Sequence, residues 1–366
     1  MESRGELALF AGRSGAQLAE RVARELTLIY EGQGEKPTKE EAPQEAITLW
    51  NLRHKDFKNG EFKTTIGDNV RGKDVFYVQV CDDPTSKRSL NDNLMEMYLT
   101  LYALKHSGRP RHLTAVIPNF PYARQDHVPA GEREPLSVKF AAQTIAKAGA
   151  DHVVAVDLHS KQALLAFSDE SYVDNLTMEP VIVDYLRKEF KGDLEKVVVV
   201  SPDVGGATRV ESIADYLGLR VAVAKKKRTE PGVVGSTYIL DKVRGYNAVI
   251  VDDIIDTGGT VEKTVHEVLR KGATGIMVMC THPIFSGPAA DTMDRLYQKG
   301  KIRKVVATDT VPYGPHFLTK QKWFDQISIA PMLAQAIFRI DRDLSVSGML
   351  TAGVPLYRPA GFYKKP

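Results

Sequence analysis

The stretch Ala-Val-Ile-Val-Asp-Asp-Ile-Ile-Asp-Thr-Gly-Gly-Thr, residues 248–260, decides the fold of this 366-residue chain. Its apolar start, rich in β-branched residues, predicts a strand that is buried on both faces of a parallel sheet. The glycine turn that follows predicts the start of a helix near Val261. Because ligands of open α/β sheets bind beyond the carboxyl ends of the strands, the stretch places a candidate site at this turn.

The same turn has the chemistry of a phosphate and sugar site. Backbone N–H groups of residues 257–260 would lie at a helix N-terminus, where exposed amides and the helix dipole favour an anion. Asp252, Asp253 and Asp256 stand together just before them. Crowded carboxylates repel one another unless a cation or hydroxyl donors are present, and a sugar phosphate with magnesium supplies both. A Thr-Gly-Gly turn is also common as a plain tight connection, so that alternative stays open.

Length and composition indicate the broad class of protein. The chain is long enough for two α/β domains, each with its own core. A net charge of +3 with 26% charged residues gives no large field of one sign, so neither a nucleic acid nor a membrane partner is expected. Cys81 and Cys280, both expected at strand ends, fit no disulfide framework and indicate a reducing, cytoplasmic location. The sequence has no long apolar run, which predicts neither secretion nor a membrane span.

Apolar runs alternate with helical patterns along most of the chain. This alternation predicts two parallel sheets in tandem, with right-handed crossovers. Asn91 is expected to cap a helix that Gly108 ends. Residues 31–45 hold almost no apolar side chain and are expected to form an exposed insertion. The expected strands are residues 7–10, 61–66, 75–80, 113–117, 153–158, 197–200, 220–224, 276–280 and the run that begins at Ala248.

A second glycine turn and a histidine also follow expected strands. Asp203, Gly205 and Gly206 precede a helix and are suited to a second phosphate or a pyrophosphate. The two turns together indicate opposite walls of one pocket. His159 follows the strand at 153–158, where an imidazole is either a metal ligand or a hydrogen-bonded interior group; spacing does not decide between them.

Cationic and polar loop residues complete the candidate set. Residues 225–228 are Lys-Lys-Lys-Arg, followed by a Gly/Pro segment. A loop at 225–236 that closes over a triphosphate would neutralise charge on the transferred group, although such runs are more often solvated patches. Arg124 and Gln125, on the loop after the strand at 113–117, are suited to a nucleotide, while a surface ion pair explains Arg124 equally well.

Eight motifs in order resemble the ribose-phosphate pyrophosphokinase (phosphoribosyl pyrophosphate synthetase) family over nearly the whole chain. They are IGDNVRGKDVF (66–76), NDNLMEM (91–97), AVIPNFPYARQD (115–126), AGADHVVAVDLH (148–159), VVSPDVGG (199–206), VDDIIDTGGT (251–260), THPIFSGPA (281–289) and SVS (345–347). The resemblance implies an α/β fold of two tandem phosphoribosyltransferase-like domains, each a mainly parallel sheet flanked by helices. The implied bounds are 1–175 and 176–335, with the C-terminal segment 336–366 packing back on the first domain.

The resemblance also implies a reaction and a role for each motif. The β,γ-pyrophosphoryl group of ATP passes to the C1 hydroxyl of ribose 5-phosphate with Mg²⁺ present. The implied enzyme is a homo-oligomer whose subunits share the nucleotide site, a dimer at least, with a hexamer as the larger form. The implied roles are catalysis by Lys226 and Arg228; ATP binding by Phe57, Asn59, Glu61, Arg124, Gln125, Asp126 and His159; ribose 5-phosphate binding by Asp252, Asp253, Asp256, Thr257, Gly258, Gly259 and Thr260; a pyrophosphate loop of Asp203, Val204, Gly205 and Gly206; and metal binding by His159 and Asp203.

Two other functions share part of this pattern. A type I phosphoribosyltransferase has the VDDIIDTGGT element but lacks most of the first domain. A non-catalytic regulatory homologue has the whole fold, although the presence here of Lys226, Arg228, His159 and Asp203 argues against it. Regulation stays open, because Arg71 and residues 345–347 match regulatory positions of the family, whereas Lys161 and the insertion at 31–45 do not.

Overall fold

The computed structural model describes residues 4–32, 46–167, 171–191, 193–227, 236–239, 243–350, 353–359 and 362–363. The chain divides into two compact units. Unit 1 comprises Met1–Leu176, Thr310–Pro312 and Ser328–Pro366, and unit 2 comprises Thr177–Asp309 and Tyr313–Ile327. None of the helices in the described ranges is both long enough and apolar enough to cross a membrane.

Unit 1 is built on a five-stranded parallel sheet with the strand order β1-β4-β5-β6-β7. A separate antiparallel hairpin, β2 with β3, accompanies it. The elements are β1 (Leu7–Ala11), α1 (Ala16–Gly32), β2 (Leu52–Asp56), β3 (Phe62–Ile66), β4 (Asp74–Val78), α2 (Leu90–Tyr102), a π-helical turn (Ala103–Gly108), β5 (His112–Val116), α3 (Ser137–Ala148), β6 (His152–Val156), a 3₁₀ helix (Lys161–Ala166), β7 (Tyr172–Leu176), α9 (Ala330–Asp341) and a second 3₁₀ helix (Val346–Leu350).

Unit 2 is built on a seven-stranded sheet with the order β10-β9-β8-β11-β12-β13-β14, parallel except for the edge strand β10. The chain leaves β8 toward β9 on one side and leaves β11 toward β12 on the other. The two strands therefore flank a topological switch point, where α/β sheets form their ligand crevice. The elements are α4 (Glu179–Glu189), β8 (Val197–Ser201), α5 (Ala207–Leu217), β9 (Arg220–Lys227), β10 (Ser236–Ile239), β11 (Asn247–Ile255), α6 (Gly259–Arg270), β12 (Gly275–Pro283), α7 (Ala289–Gln298), β13 (Lys304–Thr308), α8 (Pro315–Lys320) and β14 (Phe324–Ile327).

The strongest sequence signals gave the right elements. All five residues of β4, β6 and β8 are buried, as expected of parallel strands that are covered on both faces. The run that begins at Ala248 forms the central strand β11, and α6 starts at Gly259, close to the expected Val261. The two α/β units with parallel sheets confirm the predicted fold class.

Several local predictions were wrong. Ser89, not Asn91, caps α2, because the Ser89 side chain accepts a hydrogen bond from the N–H of Asp92 while the Asp92 carboxylate accepts from the Ser89 N–H. The helical run that begins with α2 does end at Gly108, as predicted, although its last part, Ala103–Gly108, is π-helical. Cys280 lies inside β12 and not at its end.

Two predicted loop segments also differ from expectation. Helix α1 continues through Glu31 to Gly32, so the expected insertion cannot begin at residue 31; residues 33–45 lie outside the described ranges. Residues 225–227 belong to β9, where Lys226 faces Thr237 of β10 in an antiparallel pair. A run of cations resembles a loop by composition, yet lysines are common on strands near a sheet edge, where their charge discourages pairing with other chains.

Candidate active site

The carboxyl ends of β8 and β11 carry two glycine turns on adjacent parallel strands. Residues Val197–Val200 of β8 pair in register with Asn247–Ile250 of β11. The segments that follow the two strands therefore leave the sheet side by side. After β8 come Asp203, Val204, Gly205 and Gly206, which lead into α5; after β11 come Asp256, Thr257 and Gly258, which lead into α6 at Gly259 and Thr260. Each turn therefore ends at the N-terminus of a helix, where backbone amides favour an anion.

The turn after β11 depends on the conformation of Gly258. Its φ of 79° lies in the left-handed region, which favours glycine, and it is the N-cap of α6. A Cβ atom at this position would lie 3.1 Å from the Cε atom of Met293 and 3.5 Å from Ala289. Gly259, the next residue, has open space in the corresponding direction. Packing of α7 under Gly258 therefore fixes the path of the turn while leaving its far side open.

The turn after β8 is held by its own side chains. The Ser201 hydroxyl donates to the carbonyl oxygen of Asp203 at 2.6 Å, and the Gly206 N–H donates to the Asp203 carboxylate at 3.1 Å. A Cβ atom at Gly206 would lie 2.6 Å from the Ser201 hydroxyl oxygen. Only glycine fits this close approach, so the turn brings its backbone against β8.

Acidic side chains converge at the switch point. Burial raises the pKa of Asp252 well above its usual value, and the neighbouring charges of Asp253 and Asp203 raise it further, while Arg209 opposes them. The Arg209 guanidinium lies 3.7 Å from the Asp253 carboxylate, and both side chains are largely buried. A cation or hydroxyl donors placed here would relieve the repulsion among the three carboxylates, so the site is suited to a metal-bound sugar phosphate.

Two of the predicted nucleotide residues of unit 1, Asp126 and His159, follow β5 and β6, two neighbouring parallel strands. Burial by itself would raise the pKa of Asp126, but hydrogen bonds from His127 and Ser160 and the charge of His159 lower it. Asp126 and His159 are thus brought together at the carboxyl edge of the sheet. The His159 side chain is exposed, so the interior-histidine alternative is wrong.

The other predicted nucleotide residues of unit 1 are exposed as well. Arg124 and Gln125 lie on the loop after β5, and the Gln125 side chain accepts a hydrogen bond from the Ser137 hydroxyl at 2.6 Å. Phe57, Asn59 and Glu61 form the exposed tip of the β2–β3 hairpin. Residues that surround an ATP molecule must be accessible, and all of these are.

The remaining predictions fall at the limit of the described chain. Lys226 lies in β9, and Arg228 lies outside the described residues. His159 belongs to unit 1 and Asp203 to unit 2, so a metal ion shared by these two residues stays a prediction.

Comparison with known proteins covers both units. The family model described as the N-terminal domain of ribose phosphate pyrophosphokinase matches residues 7–149, and that of the phosphoribosyl transferase domain matches residues 168–310. A ribose-phosphate pyrophosphokinase of Ralstonia nicotianae is 36% identical, with 95% of this chain and 99% of the relative covered. One of Aquifex aeolicus is 39% identical, with 81% and 89% covered.

This chain belongs to the ribose-phosphate pyrophosphokinase family. A solved structure agrees: the phosphoribosylpyrophosphate synthetase of Mycobacterium smegmatis superimposes with a TM-score of 0.77 at 32% identity, over 92% of this chain and 99% of that one. Ribose-phosphate pyrophosphokinases are enzymes of nucleotide biosynthesis that transfer a phosphate-containing group. The predicted family, fold class and enzymatic nature of the chain are therefore confirmed.

Two side chains of this pyrophosphokinase site were missed from the sequence. Arg209 is one cation in the amphipathic helix α5, and only the structure places it beside Asp253. Met293 is an apolar residue of α7 that reads as ordinary core, and only the fold places it under Gly258. A possible sequence signal for Arg209 was its position three residues after the Gly-Gly pair, in the first turn of the helix.

The carboxylates of unit 2 suit magnesium. Within the described ranges no three His, Cys, Asp or Glu side chains form a ready-made metal cage. Magnesium does not need one, because it usually keeps several waters and binds through one or two carboxylates together with substrate phosphates. Asp203, Asp252 and Asp253 offer the hard oxygen atoms that this mode of binding requires. Burial, followed by the charges of the neighbouring carboxylates, raises the pKa of Asp252, and a cation bound there would lower it.

Proposed function

We propose that this pyrophosphokinase transfers the β,γ-pyrophosphoryl group of ATP to the C1 hydroxyl of ribose 5-phosphate. The C1 oxygen attacks the β-phosphorus, the bond from that phosphorus to the α,β-bridging oxygen breaks, and AMP leaves. The product is phosphoribosyl pyrophosphate. The observation that carries this proposal is the pair of glycine turns at one switch point, each leading into a helix, with Asp252 and Asp253 near the carboxyl end of β11.

Each part of the site has a role in this reaction. The amides of residues 257–260 bind the 5-phosphate, and Asp252 and Asp253 bind the ribose hydroxyls or a magnesium ion. The turn of residues 203–206 receives the transferred pyrophosphoryl group. A magnesium ion would be held by Asp203 together with His159 and the phosphate oxygens, and it would supply positive charge to the β- and γ-phosphates.

The nucleotide site also needs a second subunit. Arg124, Gln125, Asp126 and His159 hold ATP, and Lys226 and Arg228 neutralise the charge that develops on the transferred group. The exposed tip residues of the β2–β3 hairpin complete the adenine site of a neighbouring subunit. The active form is then a homo-oligomer, a dimer at least and a hexamer as the larger form, in the cytoplasm.

The decisive test is an assay for AMP release from ATP in the presence of ribose 5-phosphate and magnesium. We expect AMP and phosphoribosyl pyrophosphate in equal amounts. A chain that releases no AMP but consumes phosphoribosyl pyrophosphate with a base would be a type I phosphoribosyltransferase. A chain that shows neither activity, yet changes the rate of an active synthetase on mixing, would be a regulatory homologue.

A further inference from the structure

The β2–β3 hairpin needs support from outside itself to hold a fixed direction. Among the described residues it pairs with no other strand of unit 1, and a two-stranded hairpin alone is only marginally stable in water. Its tip is ordered by short-range bonds: the Phe57 N–H donates to the Glu61 carbonyl at 2.7 Å, and the Glu61 N–H donates to the Asn59 side chain at 3.2 Å. These bonds fix the shape of the tip and leave its orientation undetermined.

A buried carboxylate lies next to the base of this tip. The side chain of Glu96, on α2, is 0% exposed. It accepts hydrogen bonds from the Arg13 backbone N–H at 2.9 Å and from the Arg13 Nε at 2.7 Å. Its Oε2 atom also lies 3.1 Å from the Arg88 Nη2. A buried carboxylate with these partners fixes both guanidinium groups, since releasing either would leave the charge poorly compensated.

The same two arginines hold the hairpin. The Arg13 Nη1 donates to both oxygens of the Asp56 carboxylate, at 3.0 and 2.8 Å. The ring of Phe62 lies against both guanidinium groups, with its centroid 5.6 Å from the Arg13 Cζ and 5.3 Å from the Arg88 Cζ. Asp56 and Phe62 face each other as the last pair of the hairpin before the tip. The contacts of Arg13 and Arg88 therefore act at the base of the tip, where they control the direction in which the tip points.

The hairpin clamp is the group Arg13, Asp56, Phe62, Arg88 and Glu96. The Asp56 side chain is 60% exposed, and exposed ion pairs contribute little to stability. The contact of the Arg13 Nη1 with both oxygens of Asp56 still restricts the orientation of the hairpin. The cation–π contacts of the Phe62 ring with Arg13 and Arg88 restrict it further. Loss of Asp56 should therefore reduce the stability of the fold only slightly. The direction of the hairpin tip, in contrast, depends on the clamp.

We propose that the hairpin clamp consists of positioning residues, which aim Phe57, Asn59 and Glu61 at the adenine of a nucleotide bound by a neighbouring subunit. The inference rests on the proposed function, because it assumes that these tip residues contact ATP. It adds that Arg13, Asp56 and Phe62, which are not among the proposed ATP-binding residues, set the affinity for ATP. The proposed ribose 5-phosphate residues belong to unit 2, and none of them is a member of the clamp.

Steady-state kinetics of the full chain test the clamp through Asp56→Ala and Phe62→Leu. We expect the KM for ATP to rise about three- to tenfold, as loss of a charge-assisted hydrogen bond or a ring contact implies. The kcat should stay within about twofold, and the KM for ribose 5-phosphate should not change. Asp56→Glu, which keeps the carboxylate, should restore part of the ATP affinity. Lys63→Ala, an exposed residue of β3 outside the clamp, is the matched control.

Three outcomes would overturn the inference. If the enzyme is active and neither Asp56→Ala nor Phe62→Leu changes the KM for ATP, the role of the clamp is refuted and the proposed function is not. A fall in kcat with all KM values unchanged would show that the substitutions only reduce the folded fraction. Failure of the unaltered chain to release AMP would refute the proposed function, and the role of the clamp with it.

Discussion

At the scale of single residues, the carboxylates of the switch point make the most direct prediction. Replacing Asp252 with Asn keeps the size of the side chain and removes the charge. It also replaces one carboxylate oxygen, which could accept from a sugar hydroxyl or coordinate magnesium, with an amide nitrogen. We expect the affinity for ribose 5-phosphate or for magnesium to fall roughly tenfold or more, since charged hydrogen bonds contribute about 1.5–3 kcal/mol. Titration calorimetry with each ligand measures it. Unchanged affinity for both ligands would contradict the assignment.

The control for this substitution is Asp193→Asn. Asp193 is exposed and precedes β8, so it lies at the opposite end of the strand from the site. It carries the same change in charge without the same position. Equal losses of affinity in the two variants would indicate a general electrostatic effect.

Gly258 and Gly259 form a second residue-scale pair. Gly258→Ala places a Cβ atom in the left-handed region and against Met293, so we expect a loss of about 1–2 kcal/mol in the free energy of unfolding. Gly259→Ala meets open space and should be neutral or slightly stabilising, because alanine favours the helix. Urea unfolding of both variants measures the difference. Equal stabilities would mean that the turn relaxes around the new side chain.

At the scale of elements, the sequence predicted what depends on burial and missed what depends on polar contacts. The valine-rich strand β8 is apolar throughout, and its all-buried course followed from the residues alone. Strand β2, with the sequence LRHKD, has no such pattern. It is held through Asp56 by Arg13, 43 residues earlier in the chain, and no local pattern records a contact at that separation. Arg209 was missed for the same reason, since its partner Asp253 lies on a different element.

The start of β4 carries a buried acid whose protonation affects stability. Burial raises the pKa of Asp74 to about 7, the Arg4 charge partly opposes this, and the charge of Asp341 in α9 adds to it. The charges of Asp343 and Asp151 also raise it, and the Arg4 Nε lies 4.0 Å from the Asp74 carboxylate. Among the described residues neither oxygen of Asp74 has a hydrogen-bond partner.

The direction of the pH effect follows from that raised pKa. Between the ordinary value of 3.8 and about 7, folded Asp74 keeps a proton that the unfolded chain has lost. The contribution of Asp74 to stability is therefore fully present below the unfolded pKa and decreases as the pH rises through this window. Asp74→Asn should remove that decrease. It should stabilise the protein at pH 8 by a few kcal/mol, because each unit of pKa shift corresponds to about 1.36 kcal/mol. Thermal unfolding from pH 5 to 8 measures it; parallel curves for the two proteins would contradict it.

At the scale of the whole molecule, residues 353–359 and 362–363 of the C-terminal segment belong to unit 1, and Arg358 and Tyr363 contact its first helix. The carboxylate of Glu25, on α1, is 5% exposed and accepts two hydrogen bonds from Arg358, at 2.9 and 2.7 Å, and one from the Tyr363 hydroxyl. The backbone of Arg358 also exchanges hydrogen bonds with Ser328. Arg358 thus connects α1, the first helix of unit 1, to Ser328, where the chain re-enters unit 1.

Breaking this contact should weaken unit 1 in particular, and the two tryptophans allow each unit to be followed separately. Trp50 belongs to unit 1 and Trp323 to unit 2, and the chain has no others. Arg358→Met leaves a buried carboxylate poorly compensated, so the transition reported by Trp50 in a Trp323→Phe background should lose about 1–3 kcal/mol, less than a fully buried pair would because Tyr363 still donates. The transition reported by Trp323 in a Trp50→Phe background should not move. Adding Glu25→Met to Arg358→Met removes the stranded charge and should recover part of the loss, whereas equal shifts at both tryptophans would mean that the two units unfold as one.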